Sequence, residues 1–223
     1  MSKLILIPTP IGNLNDITIR SIEAIKEVDL ILCEDTRNSI KLLNHLKIKK
    51  KLKSYHKFNE HNTVKSIIQN INNGMKVGLI SDAGTPSISD PGYLIVNHCI
   101  NNNIDVECLP GPTALIPALV VSGLPTDRFT FEGFLPLKKG RKKRLNELLN
   151  EKRTMIFYES PHKINKTLKD FEEYFGSERL ISVTKEISKI YESTVRGNIK
   201  DINSTFSNKK LKGEFVIVVD GLK

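Results

Sequence analysis

Short runs of apolar residues alternate along the chain with stretches in which apolar positions recur every three or four residues. Residues 4–8, Leu4-Ile5-Leu6-Ile7-Pro8, contain no alternating polar positions and predict a strand buried on both faces. Ile19, Ile22, Ile25 and Val28 follow at three-residue steps. That spacing predicts a helix with one apolar stripe, with Asp16 as its N-cap. Residues 30–33 and 77–80 predict further buried strands, and 36–46 and 62–71 further helices. Asp90 before Pro91 predicts a capped helix over 91–101, because proline at the first helical position gives up no hydrogen bond. Residues 104–109 read as a strand.

Leu109-Pro110-Gly111-Pro112 interrupts this pattern. Pro-Gly suits a type II turn, and the residue before Pro112 is disfavoured in helical geometry. The predicted domains are therefore 1–111 and 112–223. The second holds predicted helices at 113–121, 141–151, 162–174 and 199–206, and predicted strands at 129–134, 154–159, 179–184, 190–196 and 214–220. Strand–helix alternation predicts an α/β fold in both halves, with open twisted sheets flanked by helices. The closely spaced late strands predict some antiparallel pairing in the second half.

Length and composition narrow the function classes. A chain of 223 residues with 39% hydrophobic and 26% charged positions suits two ordinary globular domains. No apolar run reaches membrane-spanning length, and the stretch from Ala114 to Leu124 is broken by Pro117 and Gly123. Three cysteines without a Cys-x-x-Cys, and five histidines away from metal-ligand spacing, argue against disulfides and a metal, and for a cytoplasmic setting. The net charge of +9 favours a polyanionic partner. Two basic runs concentrate it, one over residues 47–53 and one comprising Lys138, Lys139, Arg141, Lys142, Lys143 and Arg144. Such runs neutralise phosphates, though a solvated loop has the same composition.

There is no G-x-G-x-x-G after the first strand, no Walker A loop and no G-x-S-x-G elbow, so three common enzyme classes lose ground. The richest segment runs from Ser81 to Gly92 through Asp82, Ala83, Gly84, Thr85, Pro86, Ser87 and Ile88. It leaves the carboxyl end of a predicted strand, where open α/β sheets bind ligands. Its small residues suit close backbone approach; a tight turn needs them equally. Loops at Thr9–Asn13, Glu34–Arg37 and 110–114 leave other strands on the same predicted edge. Asp35 with Arg37 suits substrate orientation or, equally, a helix start. Tyr55-His56-Lys57-Phe58-Asn59-Glu60 combines aromatic, imidazole and polar groups that suit a splayed base or an ordinary loop.

Taken in order, these segments resemble the ribosomal RNA small subunit methyltransferase I family, a branch of the tetrapyrrole methylases. The matching pieces are Thr9-Pro10-Ile11-Gly12-Asn13-Leu14 with Asp16 and Thr18, Glu34-Asp35-Thr36-Arg37, Ser81 to Gly92, and Leu109-Pro110-Gly111-Pro112. Gly133-Phe134-Leu135-Pro136, Phe157-Tyr158-Glu159-Ser160-Pro161-His162 and Lys212-Gly213-Glu214 complete the series. The resemblance implies a two-domain tetrapyrrole-methylase fold with S-adenosylmethionine in the cleft between domains. It implies a homodimer and 2′-O-methylation of a cytidine in the decoding centre of 16S ribosomal RNA in the small subunit. By similarity, the cofactor site uses Pro10, Ile11, Asp82, Ala83, Gly84, Thr85, Ile88, Thr113, Ala114, Phe157, Tyr158 and Glu214. Many members carry a further C-terminal helical segment, which places more of the RNA binding here on the basic runs. Lys163 and Ile187-Ser188 stand where the family pattern suggests Arg and Leu-Thr.

Methyl transfer to a ribose hydroxyl needs alignment and a proton acceptor. Asp35 and Glu186 are the preferred catalytic carboxylates, with His56 and Glu159 as alternatives and Lys185 or Arg37 stabilising charge. Arg37 and His56 join the basic run as expected RNA contacts. Two rival readings are a methylase acting on a tetrapyrrole macrocycle and a non-enzymatic RNA-binding protein.

Overall fold

The computed structural model describes residues 2–207, 209 and 211–223. The chain divides into two compact units, Met1–Thr113 and Ala114–Lys223.

The first unit is a five-stranded parallel sheet in the order β3-β2-β4-β1-β5. Its strands are β1 (Lys3–Leu6), β2 (Leu30–Cys33), β3 (Leu52–Ser54), β4 (Lys76–Ile80) and β5 (Val106–Cys108). Both faces are covered, which explains the unbroken apolar runs. Ile5, Ile7, Ile31, Cys33 and Ile80 face one side, where they pack with α1 (Ile19–Glu27) and α2 (Thr36–His45). Leu4, Leu6, Leu30, Leu32, Val77 and Leu79 face the other, under α3 (Glu60–Asn72) and α4 (Tyr93–Asn101). Gly78 lacks a side chain where Ile7 and Val28 close over the sheet: a Cβ there would sit 3.0 Å from Ile7 Cδ1.

Several local expectations are corrected. Asp16 lies in a short 3₁₀ turn, and Thr18 caps α1 by accepting the Ser21 N–H. The helix thus begins at Ile19, whose side chain is 75% exposed, and the buried stripe is carried by Ala24, Ile25 and Val28. Asp90 does not cap α4 and Pro91 does not begin it. Gly92 occupies the cap, because the Ser87 side chain fills the space a Cβ there would need. The strand β3 overlaps the end of the first basic run, where hydrophobic pattern predicts none. It is short, alternates lysine with other residues, and exists through its pairing with β2.

The second unit begins with α5 (Leu115–Ser122) and contains a sheet ordered β6-β7-β10-β8-β9. These strands are β6 (Phe129–Phe134), β7 (Thr154–Glu159), β8 (Leu180–Lys185), β9 (Ser193–Asn198) and β10 (Phe215–Val219). β6 and β7 are parallel, whereas β10 runs antiparallel to β7 and β8, and β9 antiparallel to β8. One face packs α6 (Arg141–Leu148), α7 (Ile164–Phe175) and α8 (Ile199–Phe206) around Phe157, Phe171 and Phe215. The other face is covered by α5 through Leu115, Ala118 and Leu119. Among the described residues no helix is long and apolar enough to cross a membrane.

Candidate active site

All strands of the first sheet are parallel, so their carboxyl ends share one edge. The chain leaves β1 toward β2 and leaves β4 toward β5, in opposite directions along the sheet. The loops after these neighbouring strands therefore flank a topological switch point, the usual ligand position in open α/β sheets.

Those loops are tied together. Thr9 and Gly84 exchange backbone hydrogen bonds of 2.9 and 3.0 Å, an isolated antiparallel bridge across the edge. The buried Thr9 hydroxyl donates to Ser81 O at 3.2 Å, and the Ser81 hydroxyl donates to Gly84 O at 3.2 Å. The Thr85 hydroxyl donates to Pro112 O at 2.9 Å, joining the loop after β5. Gly84 has φ of +84°, and a Cβ on it would lie 3.3 Å from Ile11 Cγ2 and 3.7 Å from Pro112 O. Ser87 and Ser89 also take positive φ, at 73° and 65°. Non-glycine residues held there store strain, a feature concentrated at ligand-gripping loops. The structure thus brings Pro10, Ile11, Asp82, Ala83, Gly84, Thr85, Ile88 and Thr113 onto one preorganised edge.

Carboxylates gather beside it. Asp82 accepts the Asp35 N–H through Oδ1 at 3.2 Å and the Asn38 side-chain amide through Oδ2 at 3.0 Å. Asp35 caps α2 and is closed on Arg37, whose guanidinium holds its carboxyl down to about 2. Burial, reinforced by Glu34 and Asp82, pushes Asp90 up to about 6. Burial, followed by Asp82, also raises Glu34. Sequence reasoning misses these two as titrating groups. Glu34 stands inside a motif whose aspartate draws the attention, and Asp90 reads as a helix cap.

The remaining expected residues have mixed placements. Glu186 sits at the end of β8 with φ of +54° and accepts from Lys189 Nζ at 2.8 Å and from Glu214 N at 3.0 Å. The Lys189 hydrogen bond lowers it, so both preferred catalytic carboxylates are committed to ion pairs. Glu214 is exposed and also meets Lys189. Glu159 is buried, accepting from Thr167 Oγ1 at 2.6 Å and from Ser160 N at 2.7 Å, so both of its oxygens meet the protein's own donors. Phe157 is 0% exposed and packs on Phe171 with ring centroids 4.8 Å apart. Its side chain is core, so only its backbone can meet a ligand. Tyr158 and Ala114 are half-buried, with Tyr158 edge-on to Phe131 and Phe134.

Arg141 is corrected as an RNA contact. It is 5% exposed and donates to Asp170 Oδ2 at 2.7 Å, Thr167 Oγ1 at 2.8 Å and Pro136 O at 3.3 Å. It pins the start of α6 to α7, leaving Lys138, Lys139, Lys142 and Lys143 exposed. Arg144 is partly engaged by Glu132 and Glu147. In the first run, Lys50 donates to Lys26 O and Val28 O, while Lys47, Lys49 and Lys51 lie nearer the surface. Tyr55 is 1% exposed and belongs to the core, while His56 is half-buried. Among the described residues, no group of three or more His, Cys, Asp or Glu side chains is arranged to hold a metal.

Comparison with known proteins adds three findings. The profile of the tetrapyrrole (corrin/porphyrin) methylases matches residues 3–203. A ribosomal RNA small subunit methyltransferase I of Thermotoga maritima is 45% identical over 221 residues, covering 99% of both chains. Proteins of the same name from Synechocystis and Escherichia coli O157:H7 are 45% and 42% identical, covering 99% of this chain and 80% and 78% of theirs. Among solved structures, a diphthine synthase superposes with a TM-score of 0.76 at 13% identity, covering 99% of this chain and 90% of that one. A uroporphyrin-III-C-methyltransferase from Thermus thermophilus gives 0.68 at 15%, covering 98% and 94%. These two likenesses concern the fold alone.

Proposed function

Because this chain belongs to the ribosomal RNA small subunit methyltransferase I family, within the tetrapyrrole methylases, we propose that it methylates a cytidine 2′-hydroxyl in the decoding centre of 16S ribosomal RNA. The chain is an S-adenosylmethionine-dependent methyltransferase.

The observation that carries the reading is the Thr9–Gly84 bridge, which ties two loops at the switch point of the first sheet. The residues there fit the methyl donor. Gly84 lets its loop pack closely against Ile11 and Pro112, and small residues along the loop let an adenine edge or a carboxylate approach the main chain. The neighbouring carboxylates of Glu34, Asp82 and Asp90 complement a cation. Asp82, Ala83, Gly84, Thr85 and Ile88, with Pro10, Ile11 and Thr113, would hold the donor. When bound, S-adenosylmethionine supplies a methyl group already activated on a sulfonium.

The protein's own work is to position the ribose oxygen and accept its proton. Asp35 enters this proposal as the group that orients Arg37, and Glu186 as the group that orders the end of β8. Asp90, raised to about 6, is better suited to take up a proton near neutral pH, and burial raises Glu34 beside it. Lys138, Lys139, Lys142 and Lys143 supply phosphate contacts. A homodimer is proposed as the working form, supported by the exposed Ile116, Val120 and Val121 of α5.

The deciding experiment incubates labelled S-adenosylmethionine with purified small subunits and analyses the nucleosides by mass spectrometry. The expected product is 2′-O-methylcytidine. Label transferred instead to a uroporphyrinogen, with none in RNA, would replace this reading by the macrocycle alternative.

A further inference from the structure

The loop after β3 leaves the same carboxyl edge as the candidate donor site, beside the Glu34–Arg37 segment. β3 pairs with β2 through Cys33 and Ser54, and Tyr55 N donates to Cys33 O at 2.8 Å. Tyr55 points into the core as an anchor. Three residues on, Phe58 is 91% exposed, among the most exposed large apolar side chains described.

An exposed phenylalanine on a floppy loop would mean little. This loop is braced. Asn59 accepts the His56 N–H through Oδ1 at 2.8 Å and donates through Nδ2 to Ser54 O at 3.1 Å. Phe58 N donates to His56 Nδ1 at 3.3 Å. The His56 and Phe58 rings lie edge to face, with centroids 6.0 Å apart and planes at 65°. Exposed Lys57 stands between them in the chain, and exposed Arg37 lies in the segment that follows β2, the strand paired with β3. A braced π-face with a lysine next to it suits an unpaired base followed by its phosphate.

We infer that Phe58, backed by His56, is a stacking platform for an unpaired base of the RNA substrate. The inference rests on the RNA-methyltransferase reading and deepens it by assigning where the base is held. An aromatic platform beside the donor edge fixes the position of a nucleotide, and with it its ribose hydroxyl, without reading sequence.

The chain contains no tryptophan, so Phe58→Trp introduces a single reporter at the platform. With a short single-stranded RNA oligonucleotide as probe, Phe58→Trp is expected to bind as tightly as the parent protein, with its emission quenched. Phe58→Ala is expected to lose roughly 5- to 150-fold in RNA affinity, the range matching about 1–3 kcal/mol per stacked base. With small subunits as acceptor, KM should rise in Phe58→Ala while S-adenosylmethionine affinity is retained. RNA binding that leaves the emission of the Phe58→Trp variant unchanged, undiminished RNA affinity in Phe58→Ala, or an equal loss of donor affinity would each overturn the platform and leave the methyltransferase reading standing. Failure of the parent protein to bind or methylate RNA would overturn both.

Discussion

Asp35 and Arg37 form a closed pair at the start of α2: Oδ2 accepts from Nη2 at 2.6 Å while Oδ1 accepts the Arg37 backbone N–H at 2.8 Å. The carboxylate is held down to about 2, so it is an anion throughout the working range. Asn is as good an N-cap as Asp, which separates charge from capping. Asp35→Asn should leave the fold intact and S-adenosylmethionine affinity unchanged, lower methyl transfer through a freed Arg37, and leave the midpoints of the pH–rate profile in place. Loss of the acid limb in this variant would instead make Asp35 the proton acceptor.

Asp90 predicts a pH dependence of the opposite sign. Its carboxyl is raised from 3.8 to about 6, so the folded protein binds this proton more tightly than the unfolded chain. Stability therefore falls as pH rises from about 4 to about 6, and the penalty persists above that. Asp90→Asn should be more resistant to urea than the parent at pH 8, with the advantage vanishing near pH 4. A constant difference across that range would show that Asp90 does not titrate in this window.

The basic run before and within α6 divides into structure and surface. Removing Arg141 leaves Asp170 without its buried partner, at a cost of about 3–5 kcal/mol for a group of this kind. Arg141→Met should therefore lower the urea midpoint strongly. Lys142→Ala should cost under about 0.5 kcal/mol, weaken RNA binding across sequences and reduce the salt slope by about one. Equal stability losses in the two variants would contradict the burial of Arg141.

Phe157 and Tyr158 are neighbours on β7 facing opposite sides of the sheet. Phe157→Ala should destabilise by about 3–5 kcal/mol because it empties a packed site against Phe171. Tyr158→Ala, at a half-buried position, should cost less in thermal melts. The reverse order would place Phe157 outside the core.

Much of the architecture was legible locally. β2, β6, β7 and α8 have the bounds that hydrophobic pattern alone predicts, because a strand buried on both faces or a helix with one apolar stripe is written in adjacent residues. Glycine and proline likewise marked the loops now tied at the sheet edge, since turns need those backbones wherever they occur. The fate of individual polar and aromatic groups was not legible. Within one basic run Arg141 is buried and Lys142 exposed, and the difference is made by Asp170, 29 residues downstream. Tyr55 and Phe58 share one hexapeptide, yet the pairing of β3 with β2 sends one into the core and leaves the other in solvent. Asp35 and Asp90 titrate in opposite directions because one has a cation within reach and the other has burial and neighbouring anions. Periodicity depends on residues a few positions apart, so the chain alone determines it. Burial, ion pairing and proton affinity depend on partners brought from distant segments, so only the tertiary structure decides them.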